Sequence, residues 1–236
     1  MSLVDSVRVL GAMARITAPT LVDVARGSVN RGAIDERARW FGRRVVELLD
    51  IQLTASGAEQ VPLRSVVYMS NHQSHLDIPV LYATLPSPTI RMLAKAELFR
   101  IPLWGRVLRA AEFVEVDRGN HTRAVRSIEH AARLVQDGMS IWVAPEGTRS
   151  VDGRIGKLKK GGFHLALATG TPIVPVAIRG TIGILPRGGK VMRTHQLVTV
   201  QIGPPIEVAG HDMPDLMAQV SEFLVKNVEN VTGNGR

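Results

Sequence analysis

Between residues 33 and 50 the apolar positions Ile34, Ala38, Phe41, Val45 and Leu48 follow the 4-3-4-3 spacing of a single helix face. Glu36, Arg39, Arg43, Glu47 and Asp50 lie opposite, and Arg37, Trp40 and Arg44 flank the stripe. A first helical stretch over 3–26 precedes it across the turn-forming segment 27–32. Beyond residue 50 the pattern changes. Apolar, β-rich runs at 51–54, 64–69, 90–94, 112–117, 139–144, 173–178 and 197–202 alternate with helical stretches at 78–85, 99–110, 120–137, 160–169 and 212–230. That alternation predicts an α/β fold with a central mixed, largely parallel sheet flanked by helices. The division that follows is an N-terminal pair of amphipathic helices over 1–50 and an α/β domain over 51–236. Pro175 interrupts the run at 173–178, which predicts an edge or irregular strand there.

The amphipathic second helix admits two roles. It can cover the sheet, or it can lie in a membrane surface with its apolar face in lipid and its flanking arginines at headgroups. Spacing alone leaves these level. No run of eighteen apolar residues occurs; the 3–25 stretch is broken by Asp5, Arg8, Arg15 and Asp23. The first residues also lack the basic-then-apolar pattern of a signal peptide. The expected location is the cytoplasmic face of the cell membrane, with peripheral attachment and no transmembrane helix.

Charge narrows the partner. The net charge is +8, so an anionic partner is expected. Residues 91–160 hold 14 Lys and Arg against 8 Asp and Glu, whereas residues 1–60 hold 8 against 7. The excess therefore sits inside the folded body, which favours a phosphate site. A nucleic-acid-binding domain would need stacking aromatics beside its cations, yet aromatics are 4% of the chain and no such signature appears. Cysteine is absent, which excludes disulfides and thiolate metal sites.

The candidate chemistry is concentrated after the second apolar run, where His72, His75 and Asp77 fall within six residues. Three readings compete. Ser74 and Asp77 have capping-box spacing, so Asp77 can complete a helix N-terminus. His72, His75 and Asp77 can contribute to a metal site, but the remaining histidines (121, 130, 164, 195 and 211) are scattered without ligand spacing. His72 and Asp77 can act as a base and its orienter. Five residues on a regular helix differ by about 140°, so this pair converges only if His72 precedes the helix and Asp77 opens it. A carboxylate on one ring nitrogen then leaves the other to take a proton. A nucleophilic hydrolase would need a serine elbow, and no Gly-x-Ser-x-Gly occurs.

Three further segments accompany this one: Phe113 to Asn120, ending a strand in Asp117-Arg118-Gly119; Ile141 to Ser150, containing Pro145-Glu146-Gly147-Thr148-Arg149; and Ile173 to Ile178. With Asn71-His72-x4-Asp77, and in this order, they resemble the four motifs of the PlsC-like glycerolipid acyltransferases over roughly residues 60–180. The resemblance implies that His72 deprotonates an acceptor hydroxyl while Asp77 orients it. The hydroxyl then attacks an acyl thioester of coenzyme A or acyl carrier protein without an acyl-enzyme. It also implies that Arg118 and Arg149 bind the acceptor phosphate, that Glu146, Gly147 and Thr148 belong to the acceptor site, and that Lys95 lies near the phosphate. No metal and no cofactor beyond the thioester co-substrate are implied. The expected acceptor is 1-acylglycerol-3-phosphate, with glycerol-3-phosphate or another lysophospholipid as alternatives, and the expected surface partner is a phospholipid membrane. A non-catalytic lipid-binding relative would be expected to lose the His/Asp pair, and both residues are present. Two positions depart from the family pattern: Ala144 stands where an aromatic is usual, and Ala111-Glu112 stands where glycine is common.

Overall fold

The computed structural model describes residues 3–117 and 121–229. Helices α1 (Leu3–Arg26) and α2 (Arg31–Leu48) come first, and Asn30 caps α2 by accepting from the Ala33 amide at 3.1 Å. Strands β1 (Gln52–Ser56) and β2 (Val67–Ser70) lead to α3 (Asp77–Thr84) and β3 (Ile90–Lys95). Short helices α4 (Ala96–Phe99) and α5 (Trp104–Ala110) precede β4 (Val114–Val116), α6 (His121–Gln136) and β5 (Ser140–Val143). The remainder comprises α7 (Gly161–Thr169), β6 (Ile173–Arg179), α8 (Thr181–Ile184), β7 (Leu197–Ile202) and α9 (Met213–Val228). The strands form one sheet in the order β1-β7-β6-β2-β5-β3-β4, and among the described residues only β6 and β7 pair antiparallel. The expected mixed, largely parallel α/β sheet is what the chain forms.

Alternation along the buried central strands divides the core in two. Tyr68, Trp142, Val174 and Val176 face Val45, Leu49, Val80 and Leu81 of the α2–α3 side. Val67, Met69, Ile141 and Val143 face Leu134, Phe163, Leu216 and Val220 of the α6, α7 and α9 side. Both layers are apolar and continuous, so the sheet holds its C-terminal strand ends firmly. The site lies there.

The structure decides the role of α2. Ile34 and Val45 are buried, and Ala38 and Phe41 pack on the first core layer. A Cβ on Gly42 would lie 2.6 Å from the Pro79 carbonyl, so only glycine permits this approach of α2 to α3. Arg91 on β3, almost fully buried, pairs with Asp35 of α2 and reaches Glu112 at 3.5 Å. A buried guanidinium is tolerable only with such partners. The stripe on α2 therefore belongs to the core.

Two local expectations change. Pro175 does not mark an edge, because β6 lies between β7 and β2. Its carbonyl accepts from Gly203 at 2.8 Å, so its donorless nitrogen faces the irregular 203–206 segment, beyond the end of β7 at Ile202. The helix expected over 99–110 is two helices separated by a reversal. Pro102 disfavours helical geometry at Ile101, Leu103 has φ +64°, and a Cβ on Gly105 would lie 2.0 Å from the Phe99 carbonyl. The chain folds back on itself there.

Candidate active site

Parallel packing places the ends of β2, β5 and β6 side by side, and the site is built from the loops that leave them. Ser70 ends β2 and its hydroxyl accepts from Trp142 Nε1 at 2.8 Å. Asn71 then bonds the backbone of Ile178 twice, donating to its carbonyl at 2.8 Å and accepting from its amide at 2.7 Å. This two-point contact to β6 forces the chain off the sheet at His72. The loop returns as α3, whose first residue is Asp77.

His72 and Asp77 meet in the arrangement that their spacing requires. Nδ1 of His72 lies 2.7 Å from Oδ2 of Asp77, and the carboxylate is fully buried while the imidazole is 16% exposed. Oδ2 also accepts from the amides of Gln73 at 2.8 Å and Ser74 at 3.0 Å. Oδ1 accepts from the hydroxyl of Thr181 at 2.5 Å. Asp77 thus ties down the loop ahead of α3 and orients the histidine at once, while the helix N-cap, Leu76, makes no side-chain cap bond. The Trp142 ring packs against the imidazole edge-on, with centroids 5.7 Å apart. With Nδ1–H donated to the carboxylate, Nε2 is the basic nitrogen.

Ser74 has no freedom to act as a nucleophile. Its buried hydroxyl donates to the Leu185 carbonyl at 2.7 Å and accepts from the Leu76 amide at 3.1 Å. Among the described residues, no three His, Asp or Glu side chains gather where they could hold a metal ion.

The segment after β5 grips His72 through its backbone. Glu146 accepts from the His72 amide at 2.9 Å and from the Gly156 amide at 2.8 Å, while the Ser150 amide donates to the His72 carbonyl at 2.7 Å. Burial pushes the Glu146 carboxyl above the usual range, against the pull of the two amides and of His72. Its oxygens are thereby committed to backbone. Gly147 adopts φ +73° and closes the turn onto Ala144 at 3.0 Å, a conformation that favours glycine.

Thr148 is exposed and Arg149 half-buried on the same turn, and Lys95 is exposed at the end of β3. His75 is exposed at one edge of the site. Burial of its other faces, then Arg149, His72 and Lys95, hold its pKa below the ordinary histidine range, with Asp77 opposing. Arg149 and Lys95 therefore share a positive field beside the 71–76 loop. Arg118 lies outside the described residues; its neighbour Asp117 pairs with Arg123 at 3.1 Å.

Sequence reasoning missed two residues that shape the site. Asn71 carried a signal, since it opens the first motif, but its tie to β6 did not. Thr181 carried none.

Fold and site together define an α/β protein with a carboxylate-supported histidine, no activated serine beside it among the described residues, and cations at the neighbouring strand ends. A family model described as Acyltransferase matches residues 52–179, and the chain belongs to this PlsC-like acyltransferase family. It is 38% identical over 152 residues to a chloroplastic 1-acyl-sn-glycerol-3-phosphate acyltransferase of Brassica napus, covering 64% of this chain and 44% of the relative. The enzyme of the same name from Haemophilus influenzae is 30% identical over 200 residues, covering 81% of this chain and 80% of that one. The chain spans less than half the length of the plant relatives first matched, and more of the bacterial ones. The crystal structure of the 1-acyl-sn-glycerophosphate acyltransferase PlsC from Thermotoga maritima superposes with a TM-score of 0.83 at 27% identity, covering 99% of this chain and 97% of that one.

Proposed function

We propose that this protein transfers a fatty acyl chain from a thioester, acyl-CoA or acyl-ACP, to the free hydroxyl of 1-acyl-sn-glycerol-3-phosphate, giving phosphatidic acid. The observation that carries this reading is the buried Asp77 carboxylate on His72 Nδ1 with the Ser74 hydroxyl engaged elsewhere. His72 Nε2 removes the proton from the acceptor hydroxyl as its oxygen attacks the thioester carbonyl. Asp77 stabilises the imidazolium that forms. That attack forms the ester C–O bond; collapse of the tetrahedral intermediate then restores the carbonyl, breaks the C–S bond and returns the proton from His72 to the leaving thiolate.

Arg149 and Lys95 supply cations for the acceptor phosphate, with Arg118 as the third member implied by its motif. The commitment of Glu146 to two backbone amides favours a role in holding His72 in place over direct contact with the acceptor. Gly147 and Thr148 form the turn that presents Arg149.

Such an acceptor partitions into bilayers, so the enzyme works at a membrane surface. Among the described residues no helix is long and apolar enough to cross one. The exposed apolar side chains Val4, Val7 and Leu10 of α1 support peripheral contact through α1. At about 25 cal/mol per Å², a few such side chains inserted in lipid contribute several kcal/mol.

The test is an acyl-transfer assay with purified protein, acyl-CoA and acyl-ACP donors, and glycerol-3-phosphate, 1-acylglycerol-3-phosphate and other lysophospholipids as acceptors. His72→Ala is expected to lower kcat by about 10²–10⁴-fold with the fold retained. Near-normal turnover in a folded His72→Ala protein removes the assignment.

A further inference from the structure

The reaction just proposed has two anionic substrates, and the cations near His75 account for one. A second set lines a cleft that meets the first at Arg149. This open cleft of about 590 Å³ has Glu146 among its lining residues and is otherwise bounded by the 148–159 loop and Arg187. Arg149, Arg154, Lys157, Lys159 and Arg187 line it, against Asp152 and Glu146 as carboxylates. Arg154 is within 3.9 Å of Asp152, but Arg149, Lys157, Lys159 and Arg187 have no carboxylate partner among the described residues. Four unpaired cations around one concavity repel each other and are stabilised by an anion placed between them. Lys95 is not part of this lining, so the two basic groups meet only at Arg149.

Position makes the cleft a substrate site rather than a surface patch. Glu146 bonds the His72 amide, and the Ser150 amide bonds the His72 carbonyl, so the cleft wall and the base are joined by two hydrogen bonds. Loop 150–156 is also held firmly: Gln73 Nε2 donates to the Gly153 carbonyl, and the Ile155 amide donates to Glu229 at 2.7 Å. A rigid wall with unpaired cations beside a base is suited to an anion that arrives with one of the reactants.

Resting on the acyl-transfer reading, we infer that this cleft binds the phosphate-bearing end of the thioester donor. Every such donor carries its acyl group on phosphopantetheine, whose phosphate is common to coenzyme A and to holo-acyl carrier protein. Arg187, Lys157 and Lys159 hold that phosphate, while Arg149 separates it from the acceptor phosphate. The thioester then reaches back across the turn toward His72.

The experiment pairs Lys157→Ala/Lys159→Ala with a separate Arg187→Ala, since the Arg187 guanidinium also touches the Arg149 carbonyl at 3.3 Å. Steady-state kinetics are run with an acyl-CoA and with the same acyl chain on carrier protein, and free coenzyme A binding is measured by calorimetry. The expected result is a donor KM raised by roughly tenfold, with acceptor KM within about twofold and coenzyme A binding weakened in parallel. Loss with both donors assigns the cations to the phosphopantetheine phosphate. Loss with coenzyme A alone, or with carrier protein alone, overturns the assignment to the shared phosphate. An unchanged donor KM, or a defect confined to the acceptor, overturns the inference. Wild-type protein that binds coenzyme A in this cleft yet transfers no acyl group to any acceptor counts against the proposed reaction and not against the site; wild-type protein that binds neither coenzyme A nor holo-carrier overturns the site itself.

Discussion

Thr181 donates its hydroxyl to Oδ1 of Asp77 at 2.5 Å, across 104 residues of sequence, and both side chains are fully buried. Because three other donors occupy Oδ2, this one bond decides whether the carboxylate is held at both ends. Thr181→Val keeps the shape and leaves Oδ1 without a donor. A buried acceptor left unpaired costs about 1–3 kcal/mol, which denaturant unfolding should register. If the hydroxyl also sets the aim of His72, kcat falls roughly tenfold while acceptor KM stays put, and Thr181→Ser restores most of both. Lost stability with an unchanged kcat would make Thr181 a structural residue only.

Arg149 offers a test of geometry apart from charge. Its planar fork can present two parallel donors to a phosphate, which the single ammonium of lysine cannot reproduce. Arg149→Lys is therefore expected to raise acceptor KM about tenfold or more, with donor KM little affected. A defect confined to the donor would mean that the two basic groups have been exchanged.

The two faces of the N-terminal helices separate membrane contact from folding. Phe41→Asp with Val45→Asp places charge in the core beside Leu49 and Val80 and should abolish cooperative unfolding. Val7→Asp with Leu10→Asp alters side chains that are 58% and 61% exposed, so stability should hold. Liposome flotation is expected to drop sharply for the second pair, with activity on a water-soluble, short-chain acceptor preserved. Undiminished flotation would place the contact elsewhere.

His75 supplies a pH dependence whose sign follows from its environment. Burial first, then Arg149, His72 and Lys95, lower its pKa in the folded state. Between that lowered value and the unfolded value of about 6.5, the unfolded chain binds more protons. The contribution to stability is thus present above about 6.5 and lost as pH falls toward the folded value. Thermal unfolding from pH 8 to 5 should show a shallower acid-side loss in His75→Asn than in the wild type. Parallel curves would show that the ring titrates normally.

Much of the fold was legible because its signals are local. Seven apolar runs became seven strands, and helix periodicity located α1, α2, α3, α6, α7 and α9 within a few residues. The reversal at Pro102 and the short α8 escaped because they depend on close approaches: Gly105 against Phe99, and Gly180, with φ +93°, against Leu197. The His72–Asp77 pair was legible too, since a loop followed by a helix start is the one local geometry that brings those residues together. The tie of Asn71 to β6, the contact of Thr181 and the hold of Glu146 on His72 were not. Their partners Ile178, Asp77 and His72 lie 107, 104 and 74 residues away.

The sequence by itself determined the seven strands and the longer helices, that the sheet is largely parallel, and which histidine and aspartate can meet, because each follows from spacing within about twenty residues. Only the tertiary structure decided that Pro175 sits in a central strand, that the α2 stripe faces α3 instead of lipid, and that Glu146 is spent on holding His72. The reason is the same in each case. An apolar stripe, an imino acid or a carboxylate states what its neighbours must be like, and chain folding over a hundred residues settles which neighbours arrive.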